Sequence, residues 1–226
     1  IEESLFDGHT EMLFITAGMG GGTGTGATPV IAKMAKDRGI LTVGVVTIPF
    51  LNEGKKVLVR AIEGIRELKN NVDSLIIINN EKLYNYYGDE LIHDAFPKAD
   101  QVLATAVRGM IDIIKKSGYI NVDFEDVKTL MKDSGMALMG SGIGKGPNRI
   151  EDALKGAFES PLLNDFDLKS AKNVLVNITG GKNDKGLTMK ELQDINNKID
   201  EYTGGANKFK SGIIWVEGDE IEDKIQ

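Results

Sequence analysis

Gly18-Met19-Gly20-Gly21-Gly22-Thr23-Gly24-Thr25-Gly26 is the stretch whose reading decides the fold. Before it, residues 12–17 form an apolar run that reads as a buried strand. After it, residues 27–36 read as a helix. A strand, a glycine loop and a helix N-terminus in that order make a phosphate-site arrangement. Glycine lets backbone N–H groups approach an anion with no Cβ in the way. A turn of such N–H groups forms an anion-binding nest, and the helix dipole adds positive potential. The plain alternative is a tight strand-to-helix turn with no ligand. Six glycines and two threonines in nine residues argue against it, because each glycine costs about 1 kcal/mol of order.

What the loop lacks narrows the ligand. A P-loop closes on Gly-Lys-Ser/Thr, whereas this run ends Gly24-Thr25-Gly26-Ala27 without a lysine. A dinucleotide fold places an acidic residue about 20 residues on, at the end of the next strand. The next strand, 41–47, ends in Thr47-Ile48-Pro49-Phe50, with no carboxylate there. A Rossmann oxidoreductase is therefore disfavoured. The remaining run, Gly20-Gly21-Gly22-Thr23-Gly24-Thr25-Gly26, resembles the signature of the tubulin/FtsZ family of GTPases, in particular its bacterial cell-division branch.

The 226 residues suffice for one large or two modest domains with a real core. A hydrophobic fraction of 41% and a charged fraction of 27% are ordinary for a soluble protein. A net charge of -7 argues against broad binding to nucleic acid or an anionic membrane. The absence of cysteine excludes disulfides and thiolate metal sites and fits a reducing cytoplasm. No apolar run approaches the roughly 20 residues of a membrane helix, and no signal-peptide pattern opens the chain. His9 and His93 are far apart in sequence and read as surface residues, so no metal site is expected from protein ligands.

In chain order, residues 1–10 read as the end of a helix and a turn, which hints at a preceding segment. Helix 27–36 has Pro29 near its first turn, Lys36 and Arg38 at its end and Gly39 as its stop. Residues 53–69 read as a helix, with Val57, Ala61, Ile65 and Leu68 at helical spacing, and 74–79 as a strand. This β-α-β-α-β pattern predicts a parallel sheet with helices on both faces. Residues 81–87 read as a short helix broken by Gly88. The longest helical pattern runs from 96 to 116, with a core stripe of Leu103, Val107, Met110 and Ile114 and Gly118 as its stop. Beyond it come helices 123–132 and 148–159 and strands 136–141, 171–179 and 212–216. A further helix, ending near 202, opens on the capping-box pattern Thr188-Met189-Lys190-Glu191. Gly142-Ile143-Gly144-Lys145-Gly146-Pro147 is glycine-rich but lacks phosphate-loop spacing and reads as an ordinary turn. The expected fold class is α/β: a parallel nucleotide-binding sheet flanked by helices, a long central helix, then a smaller α+β domain. The expected divisions are 1–95 for a partial GTP-binding domain, 96–118 for the central helix and 119–226 for the C-terminal domain.

A second constellation, Asn121-Val122-Asp123-Phe124-Glu125-Asp126, follows the long helix. Asp123 suits a helix N-cap and Asp126 suits the positive end of the dipole. Asn121, Asp123 and Asp126 also suit the orienting of an attacking water or the holding of a cation beside it. Spacing alone leaves both readings open. Asp100 and Asn121 are 21 positions apart, which as helix at about 1.5 Å per residue is roughly 30 Å. If Asp100 lies near a nucleotide, the acidic loop lies far from it within one chain, and the two meet only between molecules. A head-to-tail contact of unlike surfaces repeats without closing and yields a filament.

The family resemblance spans nearly the whole chain, with 121–126 matching the family's catalytic loop. It implies that this loop enters the GTP site of a neighbouring subunit and promotes hydrolysis there. It further implies that Gly20, Gly21, Gly22, Thr23, Gly24, Thr25 and Gly26 hold the phosphates and Glu53 contacts the ribose. Asn80 and Asp100 would lie near ribose and guanine, with Phe96 stacked on the base. An accepting Asp100 suits guanine, whose N1 and N2 groups donate; without the family, Asp100 reads equally as a helix-start charge. Further matches are Asp73-Ser74-Leu75-Ile76, Ser160-Pro161-Leu162-Leu163 and Val176-Asn177-Ile178-Thr179-Gly180-Gly181. Implied ligands are GTP or GDP with Mg²⁺. Implied partners are further copies of the chain, division-ring regulators and membrane adaptor proteins, in the cytoplasm at the division site.

Three departures stand out. The family's N-terminal nucleotide-binding segment has no counterpart here. Val57 stands where the family often has arginine, with Arg60 one turn further on. The chain stops at Gln226, before the family's closing strand and adaptor-binding tail. A truncated chain is the expectation, and the alternative function is a non-catalytic fragment that binds or caps a filament end without nucleotide.

Overall fold

The computed structural model describes residues 8–82, 84, 87–89, 91–116, 118–160, 167–216 and 223–226, and for 92, 94–96, 98–100 and 102 the backbone alone. The chain divides into two compact units, one holding the residues up to Gly109 together with Met131–Leu138, the other Met110–Leu130 and Met139–Gln226.

The first unit is built on four parallel strands in the order β1 (Met12–Gly18), β2 (Leu41–Ile48), β3 (Ser74–Asn79) and β4 (Gly135–Ala137). Strand β2 lies inside the sheet, and its Leu41, Val43, Val45 and Val46 are fully buried. A parallel strand buried on both faces reads as a continuous apolar run, and Leu41-Thr42-Val43-Gly44-Val45-Val46 does. Helices α1 (Thr23–Lys36) and α2 (Lys55–Asn71) connect the strands. Their apolar faces meet the sheet in a core of Ile15, Met19, Ala32, Val46, Ala61, Ile65, Leu68, Val72 and Leu75. The helical spacing of Ala61, Ile65 and Leu68 is what places them there.

Several boundaries differ from the sequence reading. The long helix begins at Ile92 rather than 96, and the strand read at 212–216 begins at Lys208. Two further differences touch the glycine loop and the segment after β2. Helix α1 starts at Thr23, not near 27, so the second half of the glycine run is helical and Pro29 sits in the second turn. Residues Leu51–Glu53 form a separate 3₁₀ turn, and Gly54, at φ 101, breaks the chain before α2 begins at Lys55. Glu53 therefore lies outside the helix expected to start with it.

Strand β4 is a larger difference, because the sequence reading puts residues 136–141 in the second domain. Buried Asp73 explains its place. Its Oδ2 accepts from the Thr42 N–H at 2.9 Å, and its backbone carbonyl accepts from the Gly135 N–H at 3.0 Å. Lys36 Nζ donates to Asp133 Oδ1 at 2.9 Å and to the Val72 carbonyl at 3.2 Å. One buried carboxylate and one lysine thus draw the 133–135 turn onto the sheet. The Asp133 carboxyl is held below its ordinary value by its hydrogen bond to Lys36.

Helix α3 (Ile92–Lys115) has 24 residues and contains the boundary between the units. The second unit holds α4 (Phe124–Met131), α5 (Arg149–Phe158), α6 (Met189–Thr203) and a parallel pair, β5 (Asn173–Gly181) with β6 (Lys208–Val216). Ile178, Ile195, Ile199 and Ile225 form its core. The capping box that opens α6 is present: Thr188 Oγ1 accepts from the Glu191 N–H at 3.2 Å and Glu191 Oε2 from the Thr188 N–H at 2.8 Å. Glu191 also forms a two-pronged pair with Arg149, which is 7% exposed and donates to the carbonyls of Lys185, Gly186 and Asp223. The Arg149 guanidinium, ahead of the Thr188 hydrogen bonds, lowers the Glu191 carboxyl to about 2.

Candidate functional site

The glycine loop joins β1 to α1, and its glycines divide into two kinds. Gly20 has φ 106, and a Cβ there would lie 2.6 Å from Val57 Cγ1. A Cβ at Gly24 would collide with the Gly18 carbonyl. Both are glycine because the chain folds tightly on itself. Gly21, Gly22 and Gly26 differ: φ is negative and a Cβ would meet nothing within 4 Å. The chain's own geometry gives no reason for glycine at these three. Open backbone of this kind is what a bulky anion needs in order to reach N–H groups.

The threonines of the run stiffen it. The Gly20 N–H donates to Thr25 Oγ1 at 2.8 Å, and Met19 is tied to β2 through its N–H to the Thr47 carbonyl at 3.0 Å. Helix α1 opens on Gly22 with no side-chain cap and no carboxylate in its first turn. The first N–H groups of a helix have no partner within it, so this end keeps its positive character.

The remaining residues expected at a nucleotide are distributed as follows. Glu53 is exposed, and its Oε1 accepts from the Phe50 N–H at 2.9 Å. The 3₁₀ turn bearing it is held by a residue the sequence reading missed: Glu81 Oε2 accepts from the Leu51 N–H at 2.9 Å. No local pattern announces that contact between two loops. Asn80 heads a 3₁₀ turn after β3, and its Oδ1 is buried without a hydrogen-bond partner among the described residues. Val57 fills the space beside Gly20, and Arg60 is exposed one turn along α2. Phe96 and Asp100 fall on α3, but their side chains lie outside the described residues.

The acidic loop belongs to the second unit, and β6 holds it there. The Tyr119 N–H donates to the Ile213 carbonyl at 2.8 Å, and the Ile213 N–H returns to the Ile120 carbonyl at 2.9 Å. Val122 is buried, whereas Asn121 and Asp123 are exposed. Asn121 Oδ1 accepts from the Gly118 N–H at 2.6 Å, closing the turn after α3. Asp123 is the N-cap of α4, its Oδ1 accepting from the Asp126 N–H at 2.7 Å. Asp126 is paired with Lys210 Nζ on β6 at 2.7 Å. The hydrogen bond to Asp126, its charge and that of Asp123 hold the Lys210 ammonium above its ordinary 10.5. Lys210 also escaped the sequence reading, since nothing near Asp126 in the chain points to it. The second glycine run, 142–147, behaves as the expected turn: a Cβ at Gly142 would strike the Ala153 carbonyl, and one at Gly144 the backbone of Arg149. Among the described residues no cluster of acids and histidines is built to hold a metal, and no helix is long and apolar enough to cross a membrane.

Comparison with known proteins matches both halves of the chain. Residues 1–88 match the GTPase domain of the tubulin/FtsZ family, and residues 135–226 match the C-terminal domain of the FtsZ family. The chain belongs to the tubulin/FtsZ family. It is 54% identical over 206 residues to the cell division protein FtsZ of Azotobacter vinelandii, covering 91% of this chain and 52% of that protein. The FtsZ of Pseudomonas aeruginosa is 53% identical over 205 residues, covering 90% and 51%. An empty FtsZ dimer from M. jannaschii superposes with a TM-score of 0.85 at 37% identity, covering 99% of this chain and 63% of that one. The chain thus spans about half the length of these FtsZ relatives and has the α/β fold of the family.

Proposed function

We propose that this chain is part of a self-assembling GTPase of bacterial cell division, in which GTP is hydrolysed between head-to-tail subunits. One observation carries the nucleotide half of the reading. Gly21, Gly22 and Gly26 are glycines that neither backbone strain nor internal crowding requires, at the uncapped end of α1. The N–H groups of residues 20–26 would receive the phosphates. Glu53 would exchange its bond to Phe50 for the ribose, and the unpartnered Oδ1 of Asn80 would meet nearby donors. Phe96 would stack on the base and Asp100 accept from guanine. Mg²⁺ bound with the phosphates would neutralise charge there. Asn121, Asp123 and Asp126 of the next subunit would orient the attacking water. Asp123 and Asp126 each keep one carboxylate oxygen beyond the bonds described above, which leaves an acceptor for that water.

Equilibrium dialysis of the complete product of the gene encoding this chain with labelled GTP tests the first half; binding is expected, and its absence would favour a filament-end binder. In the complete product of the gene encoding this chain, Asp126→Ala should abolish turnover while GTP binding persists. Unchanged turnover would remove Asp126 from the chemistry. The same reading predicts a cytoplasmic protein that gathers at the division site and reaches the membrane through adaptors.

A further inference from the structure

Asp126 sits in the first turn of α4 with a side chain 26% exposed. A carboxylate so placed has several rotamers open to it. Lys210 selects one of them. Its Nζ lies 2.7 Å from Asp126 Oδ1, from a different element, β6. That strand is itself bonded to the acidic loop through Ile213 with Tyr119 and Ile120, so the backbone under Lys210 is fixed relative to the backbone under Asp126. Asp123 is occupied differently, its Oδ1 bound to the Asp126 N–H. Among the described residues, Asp123 and Asp126 therefore each have one oxygen engaged by the fold and one left over.

We infer that Lys210 is a positioning residue for Asp126: held by β6, it engages Oδ1 and so aims the remaining oxygen at the reacting water. The inference rests on the hydrolytic reading above and adds to it a residue outside the acidic loop. Lysine serves here as a fixed cation rather than a proton carrier, because its ammonium is held charged beyond its ordinary range. An exposed ion pair adds little to stability, so its removal should be felt in turnover and not in unfolding.

The test uses the complete product of the gene encoding this chain, with Lys210→Ala, Lys210→Arg and Asp126→Asn. Lys210→Ala should lower kcat about tenfold with KM unchanged, the pattern of a misaimed group that touches no ground-state ligand. Lys210→Arg, which keeps the cation, should recover most of the loss. Thermal unfolding and GTP affinity should match the parent protein in all three. Independently of turnover, the Lys210 ammonium followed by NMR should titrate closer to 10.5 in Asp126→Asn than in the parent. Full kcat in Lys210→Ala, alongside abolished turnover in Asp126→Asn, would overturn the inference and leave the reading of Asp126 intact. Full kcat in Asp126→Asn would overturn both.

Discussion

The molecule has two glycine-rich runs, each leading into a helix, and only one of them holds glycines that neither crowding nor a positive φ requires. In 142–147, Gly142 and Gly144 are pressed against the backbone of α5, so that a Cβ at either would strike the Ala153 carbonyl or Arg149. In 18–26, Gly20 and Gly24 are of that kind, but Gly21, Gly22 and Gly26 face open space. In the first run Gly142 and Gly144 keep room that the protein itself fills, and Gly146 takes φ 75, a backbone conformation that favours glycine. The second keeps room that the protein does not use. Glycine density does not distinguish the two, but the surroundings of the missing Cβ do.

The contrast breaks most readily at Gly144. Gly144→Ala should cost about 3 kcal/mol of stability, at the upper end of overpacking penalties because the obstructing atoms are backbone; a thermal melt within a degree of the parent would show that the turn can shift. The same region responds to acid. The Glu191 carboxyl sits near 2 in the folded chain against an ordinary 4.5. Its pair with Arg149 therefore stabilises fully above pH 4.5 and is lost as the pH falls towards 2. About 2 kcal/mol should disappear across that window in urea titrations, and Glu191→Gln should flatten the dependence. At the open run the effect moves from folding to binding. Gly22 is already helical at φ -78 and ψ -51, and a Cβ there would meet nothing within 4 Å. Gly22→Ala should hold or raise stability by about 0.5 kcal/mol while weakening GTP binding about tenfold, read by dialysis. Equal losses of folding and binding would erase the distinction between the runs.

Much of this architecture was legible in local pattern. Three strands and two helices of the first unit follow from continuous apolar runs alternating with helical spacing, and the box at Thr188 and Glu191 marks the start of α6 to the residue. The Gly20–Gly26 signature and the 121–126 match named the family. What was not legible depends on distant partners. The start of α1 inside the glycine run follows from Gly22 taking helical backbone angles, which glycine is free to avoid. The 3₁₀ turn at Leu51–Glu53 depends on Glu81, and the occupancy of Asp126 on Lys210.

Sequence by itself determined the order of elements, the parallel sheet of the first unit and the position of the glycine loop, because hydrophobic period and glycine spacing act over a few residues. Only the tertiary structure decided that β4 joins that sheet, which glycines are open, and that a lysine on β6 bonds Asp126. Those outcomes turn on one buried carboxylate, on the space around an absent Cβ and on a strand far along the chain. Each depends on how segments distant in sequence are arranged around one another, of which their separation along the chain carries no record.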